Sequence, residues 1–328
     1  MHRPIRAPRL RPERGEAALG DGARPMLDRR AMTFGMAGLI AAGPQEPPTD
    51  EPRLLANLLT RMALRVRVNG RRSAVFVLDT GAGRTVLAED LAQQWELPAR
   101  PPVLVHGLTG AQMAPTVHIQ RLNLGGRRFH DVEAPVFPRA MIAADGLMGL
   151  DVLGRFRLDL NISARRVRLA PSGPDVLEVG TAGHRATRLR PHERPARHGR
   201  FGVLILQGLA EGREIDVFVD TGAQYSIGNM ALLAAVGGEP AGLERITVYG
   251  VTGQVLAAAS GQVRELRLGS QRLGPTPLLF ADLHAFQVLG LVDRPALLVG
   301  ADLLYRFREV TLDYGRSEMA FRGLRRPG

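Results

Sequence analysis

Cysteine is missing from all 328 residues, so no disulfide framework, thiol nucleophile or thiolate metal site contributes to this protein. That absence leaves the redox compartment open. Lysine is missing too, and all 43 basic residues are arginine. Against 32 acidic residues they leave a formal net charge of +11, a balance that often marks a nucleic acid or an anionic membrane as partner. Here the supporting features are scarce. Aromatic residues make up only 5 % of the chain, with a single tryptophan, and stacking on bases needs them. The arginine pairs (Arg71-Arg72, Arg127-Arg128, Arg165-Arg166) are scattered among strand-like segments instead of forming a block. The charge reads as a compositional bias, and no nucleic-acid partner is expected. Long apolar runs are lacking as well, so no stable transmembrane span is expected. What remains is a chain long enough to bury a large core without a staple.

Residues 1–25 are rich in Arg, Pro, Gly and Ala with no apolar period and read as a disordered extension. From Met26, the pair Arg29-Arg30 precedes thirteen uncharged small or apolar residues ending at Gly43. This resembles a twin-arginine export signal and predicts a periplasmic protein. If the pair is a chance product of an arginine-rich chain, the protein is cytoplasmic. Residues 44–53, with Pro44, Pro47 and Pro48, read as a linker.

The rest carries an internal duplication. An alternating apolar run, Met62 to Val68, reaches the turn Asn69-Gly70-Arg71, and Ala74 to Leu78 then runs into Asp79-Thr80-Gly81-Ala82. In the second copy Val203 to Leu209 reaches Glu211-Gly212-Arg213, and Ile215 to Val219 runs into Asp220-Thr221-Gly222-Ala223. Each copy predicts a hairpin ending on an acidic loop. Short helical stretches follow (Leu87 to Trp95; Asn229 to Val236), then glycine-bearing hairpins, His106-Gly107-Leu108-Thr109-Gly110 and Tyr249-Gly250-Val251-Thr252-Gly253. Both copies close on an apolar-apolar-Gly element, at Gly149 and Gly300, followed by an alternating strand. Residues 171–200 are polar and broken by Pro and Gly, as a tether would be, with Ala186 to Leu189 a candidate strand inside it. The expected organisation is two mostly β lobes, 54–170 and 201–323, with a few short helices.

One Asp-Thr-Gly loop usually just turns the chain. Two at matching points of a repeat do more, because a pseudo-twofold axis would bring Asp79 and Asp220 together. Neighbouring carboxylates cannot both ionise cheaply, so the pair would share a proton. A water between them could then attack a carbonyl while the protonated partner donates to the developing oxyanion. Gly81 and Gly222 would let backbone approach the carboxylates, and Thr80 and Thr221 could hydrogen-bond across the interface.

The segment from Asp79 to Leu87 resembles the active-site segment of retropepsin-type aspartic proteases, Asp-Thr-Gly-Ala-x-x-Thr-Val-Leu, and Asp220 to Ile227 repeats it with Ser226 for threonine. Gly149-x-Asp151-x-Leu153 and Gly300-x-Asp302-x-Leu304 resemble the family's apolar-apolar-Gly segment. The resemblance implies an all-β fold of two β-barrel lobes, a cleft for a polypeptide substrate, and flaps over it. By position the flaps are His106 to Gly110 and Tyr249 to Gly253. It implies no cofactor and no metal. Retroviral members are acidic four residues after the aspartate, where this chain has Gly83 and Gln224, so their substrate contacts do not carry over. They also assemble from two chains, whereas one chain supplies both loops here, which implies a monomer with an intramolecular dyad. Ala82 and Ala223 stand where pepsin-like members have Ser or Thr, and a mildly acidic optimum is expected.

Other readings stay open at this stage: a peptide-binding protein that keeps the cleft without catalysis, a metal-dependent hydrolase using paired carboxylates, and a pairing of each lobe with its copy in another chain. His118 and His130 lack metal-ligand spacing. Asp151 and Asp302 read as local braces near helix starts.

Overall fold

The computed structural model describes residues 55–56, 61–70, 72–172, 176–178, 185–187, 194–238, 243–250 and 254–325. The extension, export signal and linker expected within 1–53 lie outside the described residues.

The repeat is visible from the first hairpin of each half. Strands Met62–Val68 and Arg72–Leu78 are joined through Asn69 and Gly70, both at positive φ (49° and 84°). Strands Leu204–Ala210 and Arg213–Val219 are joined through Glu211 and Gly212, at 48° and 79°. Two consecutive left-handed residues match the right-handed twist of the flanking strands, which is why such tips favour Asn and Gly. The second strand of each hairpin pairs in parallel with the apolar-apolar-Gly element, Leu78 opposite Met148 and Val219 opposite Val299.

In the first half these strands close a six-stranded barrel. The long strand Ala111–Leu124 makes the closure by pairing with Arg127–Phe137 and, at its far end, with Met62–Val68, while its near end carries the additional strand Ala99–His106. In the second half the equivalent strand is interrupted: Val255–Val263 serves the flap side, and Leu266–Leu268 pairs with Leu204–Ala210. Phe76 and Phe137 fill the first core and Phe218, Phe280 and Phe286 the second, all essentially inaccessible to water. Trp95, after the helix Glu89–Gln94, packs on the first core with the Arg72 guanidinium 5.7 Å from its ring centre.

One sheet is built from both halves. Strands Phe156–Asn161 and Arg166–Pro171, early in the chain, pair with Glu309–Asp313 and Glu318–Arg322 near its end. Within it Arg157 bridges Asp159 (2.8 Å) and Asp313 (3.4 Å), and the Thr311 hydroxyl donates to Asp159. The segment read as a tether contributes too. Arg194–His198 pairs with both Leu204–Ala210 and Glu318–Arg322, and a small hairpin joins Val176–Glu178 to Arg185–Thr187. Polar side chains dominate Arg194–His198 because four of its five residues are exposed, so the composition hides the strand.

Candidate active site

Each Asp-Thr-Gly loop is suspended from the strand behind it. Asp79 N–H donates to the Met148 carbonyl and Asp220 N–H to the Val299 carbonyl, both at 3.0 Å. The chain then turns back on its own carboxylate. Asp79 Oδ1 accepts from the N–H groups of Gly81 (3.1 Å) and Ala82 (2.9 Å), and Asp220 Oδ1 from those of Gly222 (2.8 Å) and Ala223 (3.1 Å). Past the loops, Asp151 accepts from Thr85 N–H and Oγ1, while Asp302 accepts from Ser226 N–H and Oγ. Those hydroxyls also receive the N–H groups of Gly149 and Gly300. Asp151 and Asp302 thus brace the loops from behind.

The two loops meet tip to tip. Thr80 N–H donates to Thr221 Oγ1 and Thr221 N–H to Thr80 Oγ1, each at 3.1 Å. In turn the Thr80 hydroxyl donates to the Val219 carbonyl (2.7 Å) and the Thr221 hydroxyl to the Leu78 carbonyl (2.6 Å). Asp79 and Asp220 are brought to the same point, each carboxyl against the glycine of the opposite loop, Asp79 buried and Asp220 half-buried. A Cβ on Gly81 would overlap the Asp220 carboxyl group, and one on Gly222 that of Asp79. At these two positions glycine is a steric requirement.

Burial disfavours charge on the pair. It raises Asp220 first, the Asp79 charge raises it further, and the result is a value pushed up to about 8. Burial also raises Asp79, but the Arg61 guanidinium and the N–H groups of Ala82 and Gly81 pull the other way. The pair titrates as a unit, and its ionised form is favoured on Asp79.

Arg61 was not anticipated from the sequence. It is buried at the cleft floor and donates to the carbonyls of Gly222 (3.2 Å) and Ile142 (2.5 Å). The available signal was an arginine set flush against an apolar run, eighteen residues before Asp79, where the second copy has Gly202 before Asp220. Tyr314, also buried, has its hydroxyl raised by burial and then by the charges of Asp220 and Asp79.

Over the pair lies a cleft of about 770 Å³, lined mainly by apolar side chains of both halves. The hairpin expected to be the first flap turns through Gly107 N–H to the Gly110 carbonyl (2.7 Å) and rests on the second half. Leu108 accepts from Ala285 N–H, Thr109 Oγ1 donates to the Gln254 carbonyl, and His106 Nδ1 lies 3.0 Å from His284 Nε2 with the rings stacked. A Cβ on Gly250 would collide with the Thr109 side chain, so the two hairpin tips touch. Tyr249 ends the strand Arg245–Tyr249, opposite Val255. Val251, Thr252 and Gly253, and the Tyr249 side chain, lie outside the description. Among the described residues no group of three His, Asp or Glu side chains is placed to hold a metal.

Residues 64–155 match a family described as "gag-polyprotein putative aspartyl protease", and residues 206–303 match one described as "Aspartyl protease". One match surrounds each Asp-Thr-Gly loop, and together they span more than half of the chain. The chain belongs to the retropepsin-like aspartic protease family. These matches support aspartic protease activity on polypeptides. Among solved structures 306 chains match. One is a retropepsin-like aspartic protease from Rickettsia conorii, 18 % identical, covering 39 % of this chain and 88 % of that one with a TM-score of 0.29. No curated protein matches.

Proposed function

We propose that this protein is an endopeptidase in which Asp79 and Asp220, supplied by one chain, activate a water for attack on a peptide carbonyl. The observation that carries the reading is the juxtaposition of two matched loops whose glycines leave room for nothing but the partner's carboxyl group. With one proton on the pair, the ionised Asp79 takes a proton from the water as its oxygen bonds to the carbonyl carbon. Asp220 gives its proton to the carbonyl oxygen. When the tetrahedral species collapses, Asp79 passes its proton to the leaving nitrogen and Asp220 recovers its own. The flaps exclude bulk water from the step. Arg61, fixed and cationic, holds the negative charge on the Asp79 side.

The test is cleavage of an unstructured protein between pH 4 and 7. Asp79→Asn and Asp220→Asn are each expected to lose roughly a thousandfold or more, and the double variant little beyond that, because the pair acts as one group. A statine-type mimic of the tetrahedral species should block cleavage and a chelator should not. Activity that survives either substitution, or that needs metal, rejects the reading. We also propose export through the segment around Arg29-Arg30. Residues 1–53 fused to a reporter should carry it out of the cytoplasm, and Arg29→Lys with Arg30→Lys should stop it; a reporter retained with the natural segment would refute this.

A further inference from the structure

The repeat supplies an internal control for specificity, because positions that match between the halves but differ in chemistry give the cleft a direction. The clearest such pair is Arg84 and Tyr225, each five residues after its aspartate. Their backbones are held alike: a Cβ on Gly149 would press on the Arg84 carbonyl, and one on Gly300 on the Tyr225 carbonyl. Both residues line the cleft and both are exposed.

Besides the two aspartates, the charged side chains lining the cleft among the described residues are Arg61 and Arg84. Arg61 is buried and engaged with backbone carbonyls. Arg84 lines the cleft with its side chain half exposed, and its partner Glu133, 3.7 Å away and half exposed, stands outside the cleft lining. An exposed pair at that distance is easily exchanged for another carboxylate. On the opposite side Tyr225 and Gln224, whose amide donates to the Tyr225 hydroxyl at 3.3 Å, make a neutral wall.

Resting on the endopeptidase reading, we propose that Arg84 determines specificity: the cleft selects polypeptides with an aspartate or glutamate side chain near the scissile bond, on the first-half side. The planar guanidinium matches a carboxylate with two parallel hydrogen bonds, and an extended peptide sends alternate side chains to the same wall. The neutral wall opposite makes the requirement one-sided. Tyr225 offers a face and a hydroxyl there, which suits an apolar or aromatic side chain.

The test uses synthetic peptides that share one cleavable apolar core and place Glu, Gln or Lys in turn at each position on both sides of the scissile bond. Wild type should favour Glu over Lys in kcat/KM by about tenfold at one position, on one side only. The preference should shrink at high salt. Arg84→Gln should bring that ratio near one, Arg84→Glu should invert it, and Tyr225→Arg should add an acidic preference on the other side. Equal cleavage of Glu and Lys peptides by wild type, or a ratio that Arg84→Glu leaves unchanged, overturns the proposal while leaving the endopeptidase standing. If none of the peptides is cleaved although the enzyme digests an unstructured protein, selection by Arg84 is overturned. If that protein also survives, the endopeptidase reading falls as well.

Discussion

Thr80 and Thr221 exchange backbone N–H donors and hydroxyl acceptors at 3.1 Å, and each hydroxyl then donates to the strand that carries the other loop. Four buried polar groups are thereby satisfied across the boundary between the halves. Replacing either threonine by valine keeps the shape and removes the hydroxyl, so a buried N–H and a buried carbonyl lose their partners at a cost of about 1–3 kcal/mol each. Thr80→Val and Thr221→Val should each lower Tm measurably and reduce kcat, with KM less affected. Serine at either position should restore most of the loss. Equal Tm for the valine and serine variants would contradict this account.

The glycines beside the pair have no tolerance. Gly81→Ala and Gly222→Ala place a methyl group on the opposite carboxylate, and each is expected to cost roughly a hundredfold or more in kcat, since about an ångström of misplacement at the reacting groups suffices for that. Near-normal turnover in either alanine variant would mean that the loops part more readily than the structure indicates.

Asp220 carries a stability signature. Its carboxyl is raised from an ordinary 3.8 to about 8, so between those values the folded state binds a proton that the unfolded state has lost. Stability must then fall as pH rises through this window. Asn cannot ionise, and Asp220→Asn should match wild type near pH 3.5 yet melt measurably higher at pH 8. A constant difference in Tm across the range would show that the pair is not desolvated as described.

On the endopeptidase reading, Arg61 is expected to set the acid limb of activity. Its charge holds Asp79 down against burial, so its removal raises the pH at which the second carboxyl of the pair protonates and the active form is lost. Arg61→Met should move the acidic limb of the kcat/KM profile upward, and Arg61→Lys should move it less. The upper limb of wild type should fall near pH 8, where Asp220 loses its proton. An acidic limb unchanged in the methionine variant would leave Arg61 a structural role only.

His284→Ala removes the ring that His106 meets at 3.0 Å. The flap keeps its bonds through Leu108 and Thr109, so faster amide exchange confined to residues near 106–110, by several-fold, is the expected result. Protection unchanged there would assign the contact no part in holding the flap closed.

Much of this was legible in the sequence because the repeat made each signal count twice. The hairpins were marked by Asn69-Gly70 and Glu211-Gly212, and the acidic loops by alternating runs that end on Asp79 and Asp220. Strand pairing between distant segments left no such mark. Leu160 faces Val310 across the shared sheet, yet an alternating strand announces only that one face is buried, not which partner it takes. Arg194–His198 escaped because pattern reading looks for apolar faces. Arg61 escaped for the opposite reason, being a charge inside the protein where sequence logic places charges outside. Two nearby carboxylates and the carbonyls of Gly222 and Ile142 offset the cost of its burial.

The sheet that joins Phe156–Asn161 to Glu309–Asp313 also constrains how the molecule works. Two lobes tied only by a tether could part like jaws. Here the halves are stitched along a common sheet by backbone hydrogen bonds as well as by the threonine clasp. On the endopeptidase reading, a peptide is therefore expected to enter from the side of the hairpin tips. On that reading, turnover is expected to follow how often the hairpin tips lift, and stiffening the shared sheet should leave that frequency untouched.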